Sequence, residues 1–417
     1  MRIAVVTGRF PTLSETFVLN QITGLIDRGH HVDIFADVPH ADQIVHDEVE
    51  RYGLSHRTHY FTALPKAVGR RILHGIGMLS LGMLRDPTKI AAALNFRRYG
   101  HQSTSLRTIY SAWPFVGKSL NYDVIHCHFG SFGLRGMFLR QCGALTGKLV
   151  TTFHGADLTE ALRVYGNRMY RRLFEAGDLF LPVSQRWKSR LLELGCPAER
   201  VVVHRMGIDC NALNFRSRER EPDRRIRLLS VCRLVEKKGI KYAVEAVARL
   251  VQLGVDVQYD IVGDGPLREQ IGALVNSSKL SDRVILHGAK NKQEVFTMLR
   301  EANILIAPSV TSENGDQEGI PVAIMEAMAV GLPVVSTRHS GIPELVLDGV
   351  SGLLVEERDV NALTDRIAYL VSRPGTCVAF GQAGRRIVET EYNIDALNNR
   401  LVALFDHLLK NGQSGNS

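Results

Sequence analysis

Residues 304–337 read ILIAPSVTSENGDQEGIPVAIMEAMAVGLPVVST. The run Ile304–Ala307 is apolar on both faces, as a strand inside a parallel sheet must be. Residues 308–317 are rich in Ser, Glu, Asn, Gly and Asp, the composition of a loop. Pro321 stands where a first helical residue is tolerated, because the N–H it lacks would be unpaired there anyway. Gly331 then closes the helix as a left-handed cap, and Pro333 opens the next strand. Strand, helix and strand at this spacing make one βαβ unit, which commits its surroundings to a parallel sheet.

The same alternation extends outward through the second half. IRLLSVCRL, DVQYDIVGDG and RVILHGA read as strands, with helices over 241–253, after Pro266 and over 293–301. The first half repeats it: RIAVVT, a helix over 16–27 started by a Thr12/Glu15 capping box, HVDIFA, DVIHCH, KLVTTFH, LFLPVS and RVVVHRM. Charge thickens between Arg216 and Arg227, as in a linker. The expected fold is α/β with two Rossmann-like domains facing a cleft, residues 1–215 and 216–393. A mid-chain break disfavours the competing eightfold barrel. Residues 394–410 form a last helix packing back on the first domain, and 411–417 a disordered polar tail.

At 417 residues the chain exceeds one ordinary core, and 45% hydrophobic with 23% charged residues is a globular composition. RIAVVTG begins at residue 2 as a strand, leaving no room for a secretory signal, and no run is long enough to span a bilayer. Six scattered cysteines fit reduced thiols in a cytoplasmic protein. His126-Cys127-His128 could suggest a metal, but with no second ligand cluster it reads as the end of a strand. Of the net charge of +8, most sits in 65–100, where Lys66, Arg70, Arg71, Arg85, Lys89, Arg97 and Arg98 face Asp86 alone. Interleaved Leu, Ile and Met make this a basic amphipathic candidate for an anionic membrane surface, with a solvated face as the alternative. Nucleic acid is disfavoured, since no recognition motif accompanies the charge.

The chemistry concentrates where strands feed helices. Glu318 and Glu326 flank a helix start, a place where unpaired N–H groups and the helix dipole attract anions. An ionised carboxylate holds two adjacent hydroxyls, so the pair suits a sugar at one end and a ribose at the other. A helix covering most of the eight-residue interval spans roughly 12 Å. Arg233 and Lys238, in RLVEKKG after another strand, can neutralise a diphosphate. Gly263, in the turn GDGP, is a weaker signal because the full dinucleotide fingerprint is missing. No Asp-x-Asp is present to hold a metal on the diphosphate, so these cations are expected to serve in its place, with no metal and no cofactor.

These segments resemble glycosyltransferase family 4, the retaining family with the GT-B fold. SVCRLVEKKG, IVGDGPLRE, PSVTSENGDQEGIPVAIMEAMAVGLPVVST and SGIPELVLDGVSGLLV are phrased as that family phrases them, and GRFPTLSETF and TFHGADL look like its exopolysaccharide, capsule and colanic acid subgroup. The resemblance implies that Glu318 binds donor-sugar hydroxyls and Glu326 the ribose diol. Arg233 and Lys238 hold the diphosphate, and His154 reaches the sugar near its anomeric carbon. Gly8, Gly263, Gly319, Ile320 and Val322 border the donor. Arg9, Phe10 and Pro11 replace the family's usual paired-glycine loop, and Met206 stands where an Asn is usual.

The function so implied is transfer of a hexose, with retention, from a UDP-, GDP- or dTDP-sugar to a lipid-linked saccharide at the inner membrane face. A nucleotide-sugar epimerase or phosphorylase on a similar fold is the rival enzyme. A non-catalytic nucleotide-sugar-binding scaffold is the rival of another class.

Overall fold

The computed structural model describes residues 1–12, 15–37, 47–217 and 225–413. The first half holds β1 (Arg2–Val6), β2 (His31–Ala36), β3 (Thr58–Tyr60), β4 (Leu120–His128), β5 (Leu145–Phe153) and β6 (Leu179–Pro182). The second holds β7 (Ile226–Val231), β8 (Val257–Val262), β9 (Val284–Gly288), β10 (Ile304–Ala307), β11 (Val334–Thr337) and β12 (Gly352–Val355). The sheet orders are β3-β2-β1-β4-β5-β6 and β12-β11-β10-β7-β8-β9, parallel throughout. Counted within its own half, each sheet has the order 3-2-1-4-5-6, the doubly wound Rossmann arrangement. The order in which strands are added reverses between β1 and β4 in one sheet and between β7 and β10 in the other, and ligands bind such folds in the crevice beyond the strand ends at that point.

Central strands are buried on both faces: Ile3, Ala4 and Val6 are fully enclosed, as are Leu228, Val334 and Val335. Strands buried on both faces in this way need helices on both sides, and the helices supply Ile22 and Leu25 in the first half and Val244, Val247 and Leu250 in the second.

The last helix, Ile394–Gln413, leaves the second half and lies on the helix Thr16–Asp27 of the first. Its Leu401 and Phe405 are completely buried in one cluster with Ile22 and Leu25, and the Phe405 ring meets His126 edge-on at 5.5 Å. Arg28 grips it from below, donating to Asn399 Oδ1 and to the Asp395 carbonyl.

Several expectations need correction. RVVVHRM is not a full strand: Val202 and His204 donate to the carbonyls of Phe180 and Pro182, but Pro182 has no N–H to return, so the ladder stops at an isolated bridge at Val201. The helix over 16–27 is present, yet its N-cap is Glu15 with no side-chain cap bond, so no Thr12/Glu15 capping box starts it. Pro321 is extended, with ψ 122°, and caps a helix that begins at Val322. The last helix runs to Gln413, past the expected start of the tail at Asn411, and 414–417 lie outside the described residues, as do 218–224 of the charged linker stretch.

Candidate active site

Two loops build the second half's side of the cleft. After β7 the chain makes the tight turn Glu236–Lys238 and passes Gly239 at φ +63°, where a Cβ would fall 1.9 Å from the Pro308 carbonyl oxygen. That glycine lets the β7 loop lie against the β10 loop, and the result brings Lys238 to Glu318. Their Nζ and Oε1 are 2.7 Å apart. Lys237 pairs with Asp316 at 2.8 Å in parallel.

Glu318 is buried, and burial works against its charge, but Lys238, then Lys237, hold its pKa below the usual carboxylate value. Burial likewise works against the Lys238 ammonium, and Glu318 outweighs it, raising the lysine. Both are charged at neutral pH. The sequence-based picture of Lys238 reserved for phosphate is therefore modified: it also touches the carboxylate assigned to the sugar. A small crevice beside them is lined by Cys232, Ala307, Ser309, Pro321 and Ala323 and lies at the β7/β10 switch point.

The helix Val322–Ala329 is nearly enclosed, with Ile324, Met325, Ala327, Met328 and Ala329 buried. Glu326 is half-buried, as are Val322 and Ala323, and its side chain has no hydrogen bond or ion pair among the described residues. Burial raises its pKa to about 7, against the pull of Lys292. The helix begins four residues after Glu318, so the interval between the carboxylates is extended chain followed by one turn, rather than mostly helix. Arg233 is exposed, and its side chain too has no hydrogen bond or ion pair among the described residues. Gly263, at φ +128°, packs its backbone against the Cys232 carbonyl, so it supports the β7 turn from behind.

The first half contributes His154, at the end of β5. The carboxylate of Asp157, buried in the turn HGAD, accepts from the N–H groups of His154, Gly155 and Gly130 and so fixes the turn. The imidazole lies between Phe17 and Phe129, with ring centroids 4.7 and 4.5 Å away, and its Nε2 is 3.2 Å from Nδ1 of His128. Burial, with His126 nearby, lowers its pKa to about 3, so the ring is neutral at physiological pH. It can share hydrogen bonds with a hydroxyl but is no general acid. His126-Cys127-His128 is fully buried in β4, and no group of three or more potential metal ligands occurs among the described residues. Gly8 follows β1, its backbone against Phe132.

The halves meet at this point. A Cβ on Gly319 would lie 2.4 Å from the His154 carbonyl oxygen, and one on Gly155, at φ +118°, 2.9 Å from that of Glu318. Ile320 is buried and Val322 half-buried just beyond. Glu344, from the motif SGIPELV, accepts from the N–H groups of Gln185 and Arg186 at the start of the helix Gln185–Glu193. This carboxylate joins the two halves and stands outside the site.

Glu15 is a residue whose place sequence reading missed. It served there as a cap, whereas burial in the cleft raises its pKa to about 7 with Arg233 of the other half acting against the shift. A carboxylate in a capping pattern carries no signal of this, because Arg233 is remote in sequence.

Residues 14–212 match the model of Glycosyltransferase Family 4 and residues 212–387 that of Glycosyl transferases group 1. The chain is 41% identical over 414 residues to the putative colanic acid biosynthesis glycosyltransferase WcaL of Salmonella typhimurium, covering 97% of this chain and 99% of that one. The chain belongs to glycosyltransferase family 4. A second member, the amylovoran biosynthesis glycosyltransferase AmsK of Erwinia amylovora, is 39% identical over 98% of this chain and 100% of its own. The GT-B fold extends over the whole molecule: sucrose-phosphate synthase of Thermosynechococcus elongatus superposes with a TM-score of 0.73 at 20% identity, covering 98% of this chain and 99% of that one. Alr3699/HepE of Anabaena, in complex with UDP and glucose, gives 0.70 at 16% identity, covering 98% and 100%. As a family 4 enzyme the chain is a retaining glycosyltransferase that takes a nucleotide-sugar donor.

Proposed function

We propose that the enzyme moves a hexose from a UDP-, GDP- or dTDP-sugar to a hydroxyl of a lipid-linked saccharide, at the cytoplasmic face of a membrane, during assembly of a bacterial exopolysaccharide. The observation that carries the site assignment is the contact of Lys238 with Glu318 at the β7/β10 switch point, and the side chains of Arg233 and Glu326 are left unpaired among the described residues. In this reading the second half binds the donor and the first half the acceptor. Glu326 accepts from the ribose diol, Glu318 from donor-sugar hydroxyls, and neutral His154 bonds the sugar from across the cleft.

Arg233 and Lys238 face the diphosphate. As the bond from the anomeric carbon to the diphosphate oxygen breaks, negative charge grows on that oxygen, and the two cations and the N-terminus of the helix Val322–Ala329 stabilise it where it develops. The acceptor oxygen bonds the anomeric carbon from the same face, and its proton passes to the departing diphosphate. Configuration is retained. Closure of the halves excludes water that would otherwise take the acceptor's place.

The polysaccharide role is supported by the names of the full-length relatives, WcaL and AmsK. Membrane docking is supported by the helix Val68–Arg85. It packs inward through Gly75 against Leu106, Gly82 against Ile90, and the half-buried Met78 and Leu79, while Leu73 and Leu84 are 70% and 85% exposed. Lys66, Arg70, Arg85, Arg97 and Arg98 are exposed around it, and Lys89 is excluded from this surface by a buried pair with Asp86 at 2.6 Å. No helix among the described residues is long and apolar enough to cross a membrane, so this surface would lie on one.

The test is incubation of purified enzyme, with EDTA, with a panel of UDP-, GDP- and dTDP-sugars, following release of nucleoside diphosphate. Release from one donor, lost in Glu318→Ala, is the expected result. Binding and release both absent across the panel would overturn it in favour of a scaffold.

A further inference from the structure

The Glu318 backbone is held by residues far along the chain. Its N–H donates to Nε2 of His339 at 3.0 Å, and its carbonyl accepts from Ser340 Oγ at 2.6 Å. A backbone N–H can only donate, so Nε2 of His339 must be bare. The single proton of the neutral ring is then on Nδ1, which lies 2.5 Å from Oε1 of Glu357. Glu357 is itself fixed, accepting from the N–H and hydroxyl of Thr311. The tautomer follows from the geometry alone, and it makes one chain of contacts: Thr311, Glu357, His339, Glu318 and Lys238.

We infer that His339 is a positioning residue whose neutral, Nδ1-protonated form holds Glu318 against Lys238, and whose protonation at Nε2 releases the segment and switches the site off in acid. A proton on Nε2 would set N–H against N–H in a site where His339 is 1% exposed and has no room to turn. The groups around the ring divide: burial, and Arg186 from the other half, oppose its cation, while Glu357 and Glu318 favour it, and the pKa lies below the ordinary histidine value. The effect on transfer rests on the donor-site reading of Glu318. The tautomer does not.

Two measurements separate these. With imidazole ¹⁵N-labelled histidine, the resonances missing from His339→Gln identify the ring, and at pH 7.5 they should show protonated Nδ1 and bare Nε2. A proton on Nε2 overturns the inference whether or not a donor has been found. The second measurement is the pH profile of nucleoside diphosphate release from the donor panel. Gln places its amide oxygen near the Nε2 position, so His339→Gln should restore most of the turnover that His339→Leu loses and should lack the acid limb due to this ring. Asn reaches only the Nδ1 position, so His339→Asn should raise the donor KM about tenfold or more at pH 8, as loss of an acceptor for a buried N–H implies. An unchanged acid limb in His339→Gln, or equal loss in Gln and Asn, overturns the inference. Silence of the wild type across the panel would instead count against the transferase reading, with the tautomer still decided.

Discussion

Nζ of Lys238 lies 2.7 Å from Oε1 of Glu318, joining a loop after β7 to a loop after β10 through two opposite charges. Because both are largely enclosed, removing either leaves the other uncompensated. Lys238→Met and Glu318→Gln should each cost about 3 kcal/mol of stability, and the double variant clearly less than their sum. All three should fail to release nucleoside diphosphate. Urea denaturation and the donor assay check both parts, and additive losses would mean that the pair is not coupled.

Glu326 gives the site a pH dependence of opposite sense in binding and in stability. Its folded pKa of about 7 lies above the ordinary carboxylate value. The stability that protonation supplies is therefore fully present below about pH 4.5 and lost as pH rises through 7. Ribose binding needs the ionised form, so nucleotide affinity should increase about tenfold between pH 6 and 8. Calorimetric titration of wild type against Glu326→Gln checks this, since the variant should bind weakly and without that slope.

The outward face of the helix Val68–Arg85 should carry membrane affinity without carrying stability. Arg70→Glu with Arg85→Glu should weaken flotation with anionic vesicles by about fivefold or more per site, given about 1 kcal/mol per surface cation. Leu73→Ser with Leu84→Ser should weaken it with little change in melting temperature, because both side chains are exposed. Binding indifferent to anionic lipid would remove the docking surface.

Phe405, from the last helix, is fully buried against the first sheet. Phe405→Ala should cost about 3–5 kcal/mol in denaturant unfolding. A loss under 1 kcal/mol would mean that the helix is not seated there.

The alternation of strands and helices was legible because two-sided burial leaves uninterrupted apolar runs, as in ILIA, and because Gly331 and Pro333 mark real turns. Arg233, Lys238 and Glu318 stood out for a related reason: each lies in a loop that follows a strand, while Glu326 stood out as the one charge in an apolar helix. What stayed hidden was relational. His339 acts on Glu318 only because β11 runs beside β10, and Glu15 feels the charge of Arg233 only because the two halves face each other. The packing side of the basic helix was hidden too, because Gly75 and Gly82, which carry no side chain to mark a buried face, sit on it with Met78 and Leu79. RVVVHRM had the composition of a strand, and the missing N–H of its neighbour Pro182 prevented one.

Because Leu401 and Phe405 complete the cover over Ile22 and Leu25, the order of synthesis and the order of assembly differ. The first sheet leaves the ribosome early, but the apolar surface of its helix Thr16–Asp27 waits for nearly the whole remaining chain. Nascent chains arrested before residue 394 should therefore display that surface to chaperones, and a stop codon in the last helix would disable the half of the enzyme made first.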